Sequence, residues 1–506
     1  MNVLLVYPRY PDTFWSYRTI LPYVSKKAAF PPLGLLTVSA MLPPEWNRRL
    51  VDVNARQLTD EQISWADMVF VSGMIVQRDS AAEIVGRCKA MGKTVVAGGP
   101  LFSTQKARVP GVDHFVLDEA EVTLPRFLKD LEEGRLEHVY SSDERPDIST
   151  TPVPDWSLID MDDYVSMSVQ YSRGCPFNCE FCDIVAMNGR RPRTKRPEQI
   201  MAEFESLYEA GWRGGVFVVD DNFIGNTAEV KNMLPRLIQW QRERDFPFQF
   251  MTEASTNLAD DHELMSLMSR ANFHKVFLGI ETPEAESLAE CGKHQNAGRD
   301  LAEAVRTIQS NGMQVMGGFI VGFDSDTERT FDAQIRFIQQ AGIVTAMVGL
   351  LNVLPRTRLW KRLSAEDRLL EDSTGQNTDG FLNFVPRMEP EKLISGYKRI
   401  IERIYSRPMY YRRIHTFLKT YTPTARTHMR REDVQAFLKS LLRIGLLSKS
   451  SPHYWKLLLK TLTTNIRSLP VAVELAICGE HYVRMRDKLL RGEGEDPNAV
   501  SVTASR

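Results

Sequence analysis

Short apolar runs recur through the first 140 positions, at residues 3–7, 50–53, 68–72, 94–97 and 114–117, and Val is frequent in them. Runs without polar alternation predict strands buried on both faces, as in a covered parallel sheet. Residues 33–42, entered through Pro31-Pro32, and residues 80–91 predict helices between them. The alternation predicts a doubly wound α/β domain, which takes ligands at the carboxyl ends of its strands. The loops at those ends are Ser72-Gly73-Met74-Ile75-Val76-Gln77, Gly98-Gly99-Pro100 and Asp118-Glu119-Ala120-Glu121. Glycine there lets a flat ligand approach the backbone. No G-x-G-x-x-G follows the first strand, which argues against a nicotinamide dinucleotide.

Residues 141–164 are rich in Pro, Ser and Asp and predict a linker. From 165 to 355 a strand–helix unit repeats. Strands are predicted at 165–171, 215–219, 248–252, 276–280, 315–321 and 345–351, with helices such as 197–210 and 300–311 between them. This pattern predicts a partial (β/α)6 barrel, with its chemistry at the carboxyl ends of the strands. Those ends carry Asp220-Asp221-Asn222, Glu253-Ala254-Ser255, Glu281-Thr282 and Gly322-Phe323-Asp324. From 356 to 490 strand-like runs vanish. Amphipathic helices are predicted at 397–405, 432–447 and 453–469, the last two basic. These helices read as a domain packed on the barrel; the alternative is peripheral contact with a membrane surface. Residues 491–506 are polar and small and predict a disordered tail.

The chain has 506 residues, 43% hydrophobic and 25% charged, with net charge −1, enough for several domains and no reason to expect nucleic acid as partner. Six cysteines without a paired framework fit a reducing cytoplasm. The N-terminus reads as a strand rather than a signal peptide. The longest uncharged run, 337–355, contains Gln, Gly and Asn. It falls short of a span, which needs about 20 predominantly apolar residues.

Three cysteines stand together, Cys175, Cys179 and Cys182, spaced Cys-x3-Cys-x2-Cys. Three thiolates can ligate three irons of a [4Fe–4S] cube and leave one open. A zinc site would want a fourth Cys or His close by. A structural metal knot is the alternative. Arg190, Arg191, Arg193, Lys195 and Arg196 follow closely and read as a solvated face; otherwise they would hold an anionic substrate or a redox partner.

The cysteine spacing, with Phe181 just before the third thiol, resembles the cluster loop of the radical S-adenosylmethionine (SAM) enzymes, and the resemblance extends over 165–355. It implies SAM chelated on the open iron and split to a 5′-deoxyadenosyl radical. It also implies SAM contacts from Phe181, Asp220, Asp221, Asn222, Glu253, Ser255, Glu281, Gly318, Ile320 and Gly322. Asp220-Asp221-Asn222 departs from the family's Gly-Gly-Glu, and any single acid at a strand end can equally be a helix cap. The opening VLLVYP, PPLGLLTVSAML, the GGP turn and the EAE after the fifth strand resemble the cobalamin domain that precedes the barrel in one class of methylases. That resemblance implies a corrinoid without a protein His on cobalt. Its contacts would come from Ser72, Gly73, Met74, Ile75, Gln77, Gly98, Gly99, Pro100, Glu119 and Glu121, with Met74 and Ile75 shielding cobalt. The alternative is a degenerate α/β domain without cofactor.

QYSRGCPFNCEFCDI, VDDNFIGN, TEASTNLADD and GFIVGFDSD resemble the subgroup with hopanoid C-2 methylase and the bacteriochlorophyllide side-chain methylases. The resemblance implies methylcobalamin-dependent C-methylation of an unactivated carbon on a large apolar polycycle, the tetrapyrrole slightly favoured. It also implies an electron donor such as flavodoxin or ferredoxin. Phe381, Phe384, Tyr410 and Tyr411 are expected to line a substrate pocket between barrel and helices. Two rival functions are a cobalamin-dependent cyclase without methyl transfer and a non-catalytic corrinoid or cluster carrier.

Overall fold

A computed structural model describes residues 1–492 apart from Trp15, Thr427 and Met429. The tail expected at 491–506 therefore lies outside the described residues, except for Arg491 and Gly492.

The first sheet contains β1 (Asn2–Tyr7), β2 (Asn47–Asp52), β3 (Met68–Ser72), β4 (Thr94–Gly98), β5 (His114–Val116) and β6 (Val139–Tyr140). Its order is β2-β1-β3-β4-β5-β6, all parallel. The chain reverses direction across the sheet at β1. Because parallel crossovers are right-handed, the reversal puts helices on both faces, and the crevice at the switch point is where such folds bind ligands. Separate apolar layers, one with Val69 and Val95 and one with Phe70 and Val96, form the two faces.

The second sheet opens with β7 (Ser166–Val169). A two-residue antiparallel pair follows, β8 (Ser172–Arg173) with β9 (Arg193–Thr194), bracketing the cysteine loop. The sheet continues with β10 (Gly214–Val218), β11 (Phe248–Ala254), β12 (Phe273–Glu281), β13 (Gln314–Val321) and β14 (Ala346–Leu350), each strand beside its predecessor and all parallel. With no reversal, every crossover helix falls on the outer side and the inner face stays uncovered. Burial alternates along β10 and β11 accordingly.

The helical region continues the barrel's core. Besides the three anticipated helices it contains Arg407–Thr420 and the longest helix of the chain, Leu469–Leu490. The latter escapes sequence reasoning because its buried residues occupy most of its circumference, leaving no stripe. The N-terminal segment crosses to it: Tyr17 Oη lies 2.9 Å from Tyr482 Oη, and His481 Nε2 lies 3.0 Å from the Phe14 carbonyl.

Of the four aromatics expected to line a pocket between barrel and helices, Phe381 is half-buried and the other three, Phe384, Tyr410 and Tyr411, are packed in the core. Tyr410 Oη donates to the Leu475 carbonyl at 2.7 Å. The Tyr405 and Tyr482 rings, tilted by 34° with centroids 4.9 Å apart, pack beside Tyr410.

Candidate active site between the two sheets

The cysteine loop is anchored from the end of β10. Asp220 accepts from Tyr171 N at 2.7 Å and from Ser172 Oγ at 2.6 Å. Asp221 accepts from Gly174 N at 2.7 Å and Asn188 Nδ2 at 2.9 Å. Gly174 itself has φ +99°, and a side chain there would press on the Gly189 and Arg191 carbonyls. Burial raises Asp220 to about 7, against the opposing hydrogen bonds. The two aspartates thus hold the loop's entry by its backbone.

Asn222 Nδ2 reaches Cys175 Sγ at 3.9 Å and Ser255 Oγ at 3.2 Å, and Ser255 donates to Asn257 Oδ1 at 2.6 Å. Gln295 Nε2 reaches Cys179 Sγ at 3.8 Å. Burial pushes the Cys175 and Cys182 thiols up, and the charge of Lys293 opposes this at both. Lys293 pairs with Glu281 at 2.7 Å and lies 6.0 Å from the Phe181 ring centroid. Asn188, Lys293 and Gln295 are missed by sequence reasoning, because nothing local marks a polar residue beyond the cysteine loop that turns back toward it.

The three thiols are free, and the buried Gln295 Oε1 has no hydrogen-bond partner. Among the described residues no three Cys, His, Asp or Glu converge as they would on a single ion. Thiols that each serve a separate iron need not converge, so the donor set fits a cluster.

The other predicted barrel residues divide. Glu253 lines the cavity described below; burial, then Asp221 and Asp220, raise it to about 7. Glu281 is buried at φ +64° with its carboxylate on Lys293. Phe181 packs at 6.2 Å against Phe323. In β13, a side chain on Gly318 would meet the Phe277 ring and the Ile320 carbonyl accepts from Gln334; just past the strand Gly322 takes φ +114°.

In the first domain, Gln77 is a buried brace: it donates to the Pro8 carbonyl at 2.6 Å and accepts from Met74 N at 2.8 Å. Ser72, Met74, Gly98, Gly99 and Pro100 line the cavity, while Gly73 lies over Gln77. Ile75 instead packs under Gly375. Gly99 has φ +85°, and a side chain on it would collide with Ser72 Oγ; one on Gly98 would sit 2.5 Å from the Val116 carbonyl.

Glu119 and Glu121 are engaged by arginines of the barrel. Arg173 reaches Glu119 at 3.0 Å and Glu121 at 2.8 Å, and Arg193 reaches Glu119 at 2.8 Å. Burial would raise Glu121, but Arg173 holds it down to about 2. The basic run is therefore not one solvated face. Arg190 and Arg191 are exposed, whereas Arg193 belongs to this clamp and the buried Lys195 pairs with Glu203. The short β8–β9 pairing turns these side chains inward.

A cavity of about 920 Å³ joins the two sheets. It runs from between Leu35, Phe70 and Val96, over the glycines ending β4, to Phe217 and Glu253 on the barrel's inner face. Ligand pockets run to about 1,000 Å³, so this one suits a large flat group plus a neighbour.

The chain matches the B12 binding domain at 24–128, the Radical SAM superfamily at 169–338 and a domain of unknown function at 357–495. It is 43% identical to an uncharacterized methyltransferase of Synechocystis sp., over 98% of this chain and 94% of that protein. It is 37% identical to the hopanoid C-2 methylase of Rhodopseudomonas palustris, over 80% and 77%. With the bacteriochlorophyllide d C-12(1)-methyltransferase of Chlorobaculum tepidum identity is 22%, over 76% and 84%. The fold is that of the radical SAM methyltransferase TsrM from Kitasatospora setae, at TM-score 0.61 and 17% identity, covering 94% of this chain and 99% of that one. Its cofactors are a [4Fe–4S] cluster, SAM and cobalamin, and the chain belongs to the cobalamin-dependent radical SAM methyltransferases.

Proposed function

We propose that this enzyme methylates an unactivated carbon of a large, rigid, apolar polycycle, of hopanoid rather than tetrapyrrole type. The observation that carries this is the continuous cavity between the glycine-lined end of the first sheet and the end of the second that carries Asp220, Asp221 and Glu253. The higher identity to the hopanoid C-2 methylase favours the triterpenoid. We divide the chain into a corrinoid domain (1–140), a linker (141–164), a barrel (165–355) and a helical domain (356–490).

Cys175, Cys179 and Cys182 would hold the cluster. Asn222, Ser255, Glu253, Phe181 and the Gly318–Gly322 backbone would meet SAM. Ser72, Met74, Gly98, Gly99 and Pro100 would face the corrin. When bound, these groups supply hydrogen abstraction and a transferable methyl. Asp220 and Asp221 keep the loop's backbone in place, and Lys293 favours thiolate over thiol. Glu119, Glu121, Arg173 and Arg193 hold the first domain against the cluster loop. Leu35, Phe70, Val96 and Phe217 give the cavity apolar patches against which a polycycle would pack. Arg190 and Arg191, exposed beside the loop, would receive an acidic donor such as flavodoxin or ferredoxin.

The test is anaerobic turnover of the reconstituted enzyme with a hopanoid and, separately, with a bacteriochlorophyllide. About two SAM should be consumed per methyl, one yielding 5′-deoxyadenosine and one S-adenosylhomocysteine. A product heavier by CH2 from the tetrapyrrole alone would overturn the substrate choice. Deoxyadenosine with no gain in product mass from either would overturn methyl transfer.

A further inference from the structure

The helices Arg431–Arg443 and Ser451–Thr464 form a hairpin whose inner side is ordinary core: Ser440 Oγ lies 2.7 Å from Tyr454 Oη, and Leu457 and Leu458 are buried. Its outer side is not. More than half of the exposed large apolar side chains among the described residues fall between residues 434 and 466. Leu438 and Leu442 recur at helical spacing on the first helix, Leu459 and Leu462 on the second, and Leu446 and Leu447 at the turn are 70% and 76% exposed. Trp455, near the start of the second helix, sets its indole N–H on the Gly445 carbonyl at 2.9 Å and is still 40% exposed.

Cations predominate along this stretch; the carboxylate nearest the turn, Glu480, is half-buried and accepts from Ser448 Oγ at 2.9 Å. Between Asp433 and Glu474 the sequence holds no acid and six cations. Lys449, Lys456, Lys460 and Arg467 are exposed, and no carboxylate among the described residues pairs with them. A protein partner would ordinarily offer both signs and a shaped surface. An exposed leucine face with tryptophan at its edge and unpaired lysines around it matches a bilayer interface with anionic headgroups.

The hairpin also packs on a short helix that contributes to the cavity wall. Lys439 Nζ donates to the Pro22 carbonyl at 3.0 Å and to Ser25 Oγ at 2.8 Å, and Arg443 lies 5.1 Å from the Tyr23 ring centroid. Leu21 of that same turn, Leu21–Val24, lines the cavity.

We propose that this hairpin docks the enzyme on an anionic lipid surface, inserting the 446–447 turn and the flanking leucines below the headgroups, so that the turn Leu21–Val24 stands between bilayer and cavity. Docking itself is independent of which polycycle is methylated.

The experiment is flotation of the reconstituted full chain with phosphatidylcholine vesicles, with and without phosphatidylglycerol. The wild type should float with the anionic vesicles and fall off as salt rises. A variant with Leu446→Glu, Leu447→Glu and Leu459→Glu should stay at the bottom. Each of Lys449→Glu, Lys456→Glu and Lys460→Glu should weaken anionic binding by at least about fivefold. All these variants should keep their melting temperature and their reductive cleavage of SAM, which separates this outcome from failure of the chemistry. No flotation on either vesicle overturns the proposal. Equal flotation on both overturns the role of the lysines. A wild-type dimer that the leucine variant makes monomeric identifies a second copy as the occupant and overturns the lipid surface.

Discussion

The two six-stranded parallel sheets differ in one topological choice, and that choice separates their ways of meeting a ligand. In the first, reversal at β1 covers both faces, so access is at the strand ends, through loops stripped of side chains at Gly98 and Gly99. In the second, chain-ordered strands leave one face open, and side chains such as Glu253 project into the cavity. Function in the first region depends on what is absent, and in the second on what is present. Adding atoms should break the one; removing them should break the other.

The largest effect is expected from removal in the second region. Cys179→Ala should lose cluster iron and reduce SAM cleavage to background, with little change in melting temperature because only one loop side chain is lost. Iron content and deoxyadenosine yield check this; retained cleavage would mean that the loop does not carry the cluster.

The converse is Gly99→Val in the first region. A β-branched residue at φ +85° costs on the order of 1–3 kcal/mol, and its side chain meets Ser72 Oγ where the corrin would lie. Corrinoid retention and methyl transfer should fall by about tenfold or more, while SAM cleavage persists. Loss of both activities together would erase the contrast between the regions.

The clamp joins the two. Arg173→Gln leaves Glu119 and Glu121 buried with fewer partners, which costs on the order of 3–5 kcal/mol in mostly buried pairs. Methyl transfer should fall more steeply than SAM cleavage, since relative placement is lost while each site survives. Glu121→Gln in the same background should cost little more, a coupling that a double-mutant cycle measures.

How far this was legible depends on distance along the chain. The strand runs at 68–72 and 315–321 announce themselves, because a buried strand needs only its own apolar residues. The loops at their ends are legible for the same reason. The clamp is not: Glu119 and Arg173 lie 54 positions apart, and an acid after a strand looks the same whether it meets a ligand or an arginine. Arg193 and Lys195 resemble a solvated run because two-residue strands such as β9 leave no periodic trace. The helix Leu469–Leu490, buried on most sides, lacks the stripe by which a surface helix is recognised.

The smallest effect concerns a pair of carboxylates, one at the end of a strand in the first sheet and one just beyond a strand of the second. Asp52, closing β2, accepts from Asn54 N at 2.9 Å and from Tyr164 Oη at 3.1 Å, and burial raises it to about 6. Asp220, after β10, is raised to about 7 by the same cause but is tied into the cluster loop. In the unfolded chain Asp52 titrates near 3.8. Folding therefore takes up a proton there, and this contribution to stability is complete below about 4 and lost as pH rises through about 6. Asp52→Asn removes the titration while keeping an oxygen for Tyr164. Relative to wild type, the variant should gain on the order of 1 kcal/mol in stability between pH 5 and pH 8. Denaturant unfolding of the apo-protein at the two pH values measures this. An unchanged difference would mean that the carboxyl at the end of β2 is already as well solvated by its hydrogen bonds as by water, and that burial alone does not distinguish it from an exposed acid.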